Sequence, residues 1–148
     1  MDDNQIICNT PDETFSAGEM LGRSLKGGDV VLLFGGLGAG KTLLTKGILH
    51  ELGYDIDEVT SPSFTLVNLY KTPRCDVHHI DLWRLDGGQD IVTAIGLDEI
   101  IESDRGVTII EWAERLGETD LGPRVIRVSI DGDGDQPRAI TISKGRKS

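Results

Sequence analysis

Cysteine is scarce in this 148-residue chain, with Cys8 and Cys75 the only two. They form no C-x-x-C pair and have no neighbours at metal-ligand spacing, so both read as small buried side chains. Long apolar runs are missing as well. No stretch approaches the ~20 residues a membrane span requires, and the N-terminal MDDNQ is acidic where a signal peptide is basic. The expected address is the cytosol, with no membrane role. Positive charge is also in short supply. Fifteen Lys and Arg against 25 Asp and Glu give a formal net charge of -10. Such a chain repels a polyanion unless its basic residues gather on one face, so nucleic acid is expected to reach it only through a protein partner.

Other absences narrow the chemistry. His78 and His79 are adjacent, so in a strand they point to opposite faces and cannot act as a same-face pair; no zinc site is expected. Asp131, Asp133 and Asp135 suggest a calcium loop, but its sixth position is Gln136 rather than glycine and its twelfth is Ile142. A hairpin turn accounts for them better. The chain has no N-K-x-D, and its single D-x-x-G, Asp131 to Gly134, falls in that late turn, which disfavours a GTPase.

What remains suits one folded domain over residues 1–148, with 38% hydrophobic and 27% charged residues. QIICN reads as a strand. Thr10, Pro11 and Glu13 then supply an N-cap, a first-turn proline and a capping-box acid for a helix that stops near Lys26-Gly27-Gly28. Val30 to Phe34 is a continuous apolar run, as expected of a strand covered on both faces. A helix from Lys41 to Leu52 follows, with Gly53 at its C-terminal position. FTLVNLY and VHHIDLW read as strands parted by a turn at Thr72, Pro73 and Arg74. Val107 to Ile110 is a further buried strand, and RVIRVSI and AITIS form a terminal hairpin. This order predicts a three-layer α/β domain, its mixed sheet parallel at the centre and antiparallel at the C-terminal hairpin.

The chemistry centres on Gly35-Gly36-Leu37-Gly38-Ala39-Gly40-Lys41-Thr42, which matches G-x-x-x-x-G-K-[ST] and lies between a buried strand and a helix as a P-loop must. Glycines let successive backbone N–H groups turn toward a phosphate, and the helix N-terminus adds partial positive charge. Gly36, Leu37, Gly38, Ala39, Gly40, Lys41, Thr42 and Leu43 are therefore the nucleotide-binding candidates. Lys41 is placed to bridge the β- and γ-phosphates, and Thr42 to coordinate Mg2+. Hydrolysis also needs carboxylates at the ends of neighbouring strands, and Asp81 closing VHHID and Glu111 closing VTIIE both qualify. Ser61 to Thr65 is either a plain turn or a switch-like loop. Trp112, following a core strand, reads first as a packing residue. The arginines Arg23, Arg84, Arg115, Arg124 and Arg127 are scattered, with none marked for phosphate.

GGLGAGKT, TSPSFTLVNLY, HIDLWRL and IIEWAERL, in this order and at these intervals, resemble the TsaE (YjeE) family over about Pro11 to Leu116. The resemblance implies a small P-loop ATPase. It would use ATP and Mg2+ and act with the threonylcarbamoyl-transferase subunit and that subunit's paralogous partner to modify adenosine 37 of ANN-decoding tRNAs. The tRNA would be reached through the complex. By position it implies Lys41, Asp81 and Glu111 as catalytic residues, and Thr42, Glu111 and Asp81 near the metal. Ser63, Thr65 and Trp112 become switch or interface residues, and Glu13 and Thr14 approach the nucleobase. Gly36 departs from the family's usual acid, Ser63 from its threonine and Trp83 from its tyrosine. A small-molecule kinase and a nucleotide-gated binding module are the alternatives, and weak activity by the isolated chain is expected.

Overall fold

The computed structural model describes residues 3–36, 38–59, 67–82, 99–100, 106–116, 121, 124–132 and 134–144. Its strands are β1 (Asp3–Cys8), β2 (Val30–Phe34), β3 (Val67–Lys71), β4 (Asp76–Asp81), β5 (Gly106–Glu111), β6 (Val125–Asp131) and β7 (Arg138–Lys144). The helices are α1 (Pro11–Ser24) and α2 (Lys41–Glu51). All seven strands join one sheet in the order β1-β7-β6-β2-β5-β4-β3. The centre is parallel, β6 with β2, β2 with β5, and β5 with β4. Antiparallel pairs flank it, β3 with β4 on one side, and β6 with β7 and β7 with β1 on the other. The mixed α/β sheet expected from the sequence is thus present, with an additional antiparallel strand at each edge.

Alternation along β2 sorts its side chains to two faces. Val31 and Leu33 join the core beneath α1 and α2, together with Ala17, Leu21, Leu44, Ile48, Ile109 and Val128. Val30 and Leu32 face the other way, against Ile80, Ile110, Ala113, Leu116 and Leu121. Both faces are covered, so the uninterrupted VVLLF run needs no polar side. On the second face, the described covering comes from the 3-10 turn Ala113–Leu116 with Ile100 and Leu121.

Helix α1 begins where its capping residues dictate. Thr10 is extended and its hydroxyl accepts the Glu13 N–H, while the Glu13 carboxylate accepts the Asn9 N–H at 2.6 Å. That variant of the capping box reaches one residue further back than the usual reciprocal bond. The helix ends at Ser24 with Leu25 as its cap, just before the predicted glycine stop. α1 and α2 meet through small residues. A methyl placed on Gly47 would overlap the Phe15 carbonyl oxygen, and one on Gly18 the Leu44 carbonyl oxygen. Backbone therefore lies against backbone, and α1 fixes the position of α2. No helix among the described residues is long and apolar enough to cross a membrane.

Candidate functional site

The glycine loop leaves the C-terminal end of β2, between β5 and β6, at the edge of the parallel sheet where α/β proteins hold ligands. Gly38 and Gly40 have φ of 78° and 113°, in the left-handed region that favours glycine. Gly40 is also the N-cap of α2; it supplies no capping side chain, and the first turn of α2 carries no acid. The helix thus presents its N–H groups and partial positive charge uncancelled. A methyl placed on Gly36 or Gly38 would meet only open space, so an anion can approach this face of the loop.

Lys41 is buried at 5% exposure and folds back over the loop. Its ammonium donates to the carbonyls of Gly35 at 2.7 Å and Gly36 at 2.8 Å. The Trp112 ring covers it, with 3.9 Å between Nζ and the ring centroid. Burial lowers the Lys41 pKa, and the carboxylates of Glu111, Glu114 and Asp81 partly offset that by favouring the charged form. Trp112 has a φ of 58°, a region that bulky residues seldom enter.

Register brings the strand-end acids together. Asp81 lies directly across from Glu111, and Glu111 across from Leu33, two residues before the loop begins. Adjacent parallel strands therefore deliver both carboxylates to one face and one level, and both are buried. Among the described residues no cluster of three His, Cys, Asp or Glu side chains could hold a metal by itself. Thr42 is exposed at the start of α2. Leu37, Ser63 and Thr65 lie outside the described residues, as do Trp83 and Arg84.

Beside the loop is a cavity of about 320 Å³, lined by Asn9, Thr10, Thr14, Gly40, Leu43 and Arg138 among others. Of the two N-terminal candidates, Thr14 faces this cavity, whereas the Glu13 carboxylate is engaged at the helix cap. Arg23 pairs with Glu51, and Arg124 with Asp29. Among the described residues, the arginine that touches the loop is Arg138, which sequence reading passed over. From the first residue of β7 it donates to the carbonyls of Ala39 at 3.0 Å and Gly38 at 3.3 Å. It also holds the carbonyls of Gly134 and Gln136 in its own hairpin. Glu114, likewise not singled out, accepts the Gly35 N–H at 3.0 Å. Only its closeness to the E-W pair could have drawn attention to it.

Residues 8–140 match the family model described as "Threonylcarbamoyl adenosine biosynthesis protein TsaE". A relative from Treponema pallidum, named tRNA threonylcarbamoyladenosine biosynthesis protein TsaE, is 36% identical over 94% of this chain and 99% of its own length. The protein of the same name from Bacillus subtilis is 35% identical over 90% of this chain and 80% of its own. The crystal structure of B. subtilis YdiB superposes with a TM-score of 0.76 at 30% identity, covering 97% of this chain and 86% of that one. With the matched span taking in the glycine loop, both strand-end acids and the N-terminal wall of the cavity, this chain belongs to the TsaE family.

Proposed function

We propose that this protein binds and hydrolyses ATP in the service of tRNA threonylcarbamoyladenosine biosynthesis, in the cytoplasm. It would act with the threonylcarbamoyl-transferase subunit and that subunit's paralogous partner. The observation that carries the hydrolytic part is the convergence of Lys41, Asp81 and Glu111 at the carboxyl ends of β2, β4 and β5. The tRNA part rests on family membership.

In this reading the loop N–H groups and the N-terminus of α2 receive the phosphates. Lys41 exchanges its carbonyl partners for β- and γ-phosphate oxygens. The cavity between Thr10, Thr14, Leu43 and Arg138 takes the nucleoside. The donor set suits Mg2+: one threonine hydroxyl and carboxylates near an anion cradle, with phosphate oxygens completing the shell. Thr42, with Glu111 or Asp81, would hold the ion, which supplies neutralisation of charge developing on the phosphate oxygens. The remaining carboxylate orients the attacking water. Because Lys41 starts out engaged by Gly35, Gly36 and Trp112, phosphate capture must displace existing partners. That supports slow turnover by the isolated chain and faster turnover once partners bias the loop.

The test is magnesium-dependent ATP hydrolysis by the purified chain, alone and with the other threonylcarbamoyl-transfer proteins and tRNA, for wild type, Lys41→Ala and Glu111→Ala. Stimulated turnover with accumulation of modified tRNA only in the wild type is the expected result. ATP binding that partners and tRNA leave unaltered would remove the tRNA assignment and leave the P-loop reading standing.

A further inference from the structure

One buried polar side chain has no part in the scheme above. His79 is completely buried in β4, on the same face as Asp81 and one pleat further into the core, across from Ile109 of β5. Its Nε2 lies 2.5 Å from Glu111 Oε2, while its Nδ1 has no hydrogen-bond partner among the described residues. Tyr70 flanks the ring at 6.2 Å between centroids, and Tyr54 meets Tyr70 at 4.8 Å. An apolar side chain would fill this space without desolvating two ring nitrogens, only one of which is compensated here. Packing alone therefore does not explain a histidine.

If Glu111 is ionised, as its role at the crevice requires, a lone pair on Nε2 facing its oxygen at 2.5 Å would be repulsive, so the bond then runs from Nε2–H to Oε2. Nδ1 then keeps only a lone pair, the less costly atom to leave unpartnered. Glu111 is committed to His79 even though the Lys41 ammonium is close enough to feel its charge. Lys41 donates instead to the loop carbonyls, and no ion pair joins it to Glu111 among the described residues.

We propose that His79 is a positioning residue for Glu111, an inference that rests on the hydrolytic reading above. By holding Oε2 it sets the plane of the carboxylate, leaves Oε1 as the oxygen that serves the phosphate crevice, and keeps the acid from collapsing onto Lys41. Outer partners of this kind orient ligating or water-holding groups, and their loss typically lowers activity about 10- to 100-fold.

Two measurements test it. In nucleotide-free wild type with 15N-labelled histidine, the His79 Nε2 resonance should be protonated, its proton slow to exchange, and Nδ1 unprotonated. The reverse tautomer overturns the proposal without reference to catalysis. In hydrolysis assays run below the melting temperature of every variant, His79→Leu should lower kcat about 10- to 100-fold while ATP affinity without magnesium is unchanged. His79→Gln, which keeps a donor near Nε2, should recover most of the loss. If Glu111→Ala abolishes turnover and His79→Leu does not, or if glutamine performs no better than leucine, this inference fails alone. If wild type and Glu111→Ala turn over alike, the hydrolytic reading falls with it.

Discussion

The Lys41 ammonium stands 3.9 Å from the centroid of the Trp112 ring, and Trp112 adopts a φ of 58° directly after β5. A cation over an indole face is worth about 0.5 to 2 kcal/mol, more when water is excluded. The loop's main cation is thereby coupled to the turn that also carries Glu111 and Glu114.

A nucleotide that draws Lys41 onto its phosphates should take the charge off the indole. In a Trp83→Phe background, which leaves Trp112 as the sole tryptophan, saturating ATP with magnesium should change the emission. The same nucleotide should have little effect on a Lys41→Ala version. Equal responses from both would show that Trp112 senses something other than the lysine.

Arg138 ties the C-terminal hairpin to the loop through the Gly38 and Ala39 carbonyls. Charged hydrogen bonds of this kind contribute about 1.5 to 3 kcal/mol, less where water competes. We expect Arg138→Ala to weaken ATP binding about tenfold by calorimetry, equivalent to about 1.4 kcal/mol. Arg138→Lys should recover part of that, because it restores the charge without the fork.

The contact between α1 and α2 leaves no room for a side chain at Gly47, where a methyl would overlap the Phe15 carbonyl oxygen. Alanine has the higher helix propensity. Overpacking nevertheless wins here, because rigid backbone is what the methyl meets. Gly47→Ala should destabilise the fold by about 1 to 3 kcal/mol in urea titrations, whereas a gain in stability would mean that the helices can separate cheaply.

Acid should weaken the fold through His78. Burial depresses its pKa from the ordinary imidazole value of 6.5, with Asp76 opposing the shift. The unfolded chain therefore takes up a proton more readily than the native one. The stability contributed is complete above the unfolded value near 6.5 and is lost as pH falls through the lower folded value. Denaturant titrations from pH 7.5 to 5 should show this fall in wild type and a shallower one in His78→Gln.

Much of this architecture can be read along the chain. VVLLF is apolar at every position because both faces of β2 are covered, and Thr10-Pro11 starts a helix because the Thr10 hydroxyl accepts a first-turn N–H and proline has no N–H to satisfy. The P-loop was legible because its spacing is local. Arg138 was not, because it reaches Gly38 and Ala39 only through the register of β7 beside β6 and through a hairpin that turns its first residue toward the loop. Nor was the His79–Glu111 bond, which depends on β4 lying next to β5 with Asp81 opposite Glu111. The HH pair showed only that the two rings part to opposite faces. Pairing between strands distant in sequence leaves no signature in either strand alone.

The first and last strands described here, β1 and β7, are neighbours in the sheet, and the walls of the nucleoside-sized cavity come from the segments beside them. A ribosome delivers Asn9 to Thr14 early and Arg138 late. Until the second segment emerges, β1 has no strand to pair with and the cavity lacks one wall. The P-loop and the parallel strands β2, β5 and β4 can gather sooner, but in the proposed nucleotide reading a nascent chain cut short before the β6–β7 hairpin would hold phosphate contacts without a seat for the base. In that reading, competence to hold the base waits on Arg138 at the start of β7, however early the phosphate loop forms.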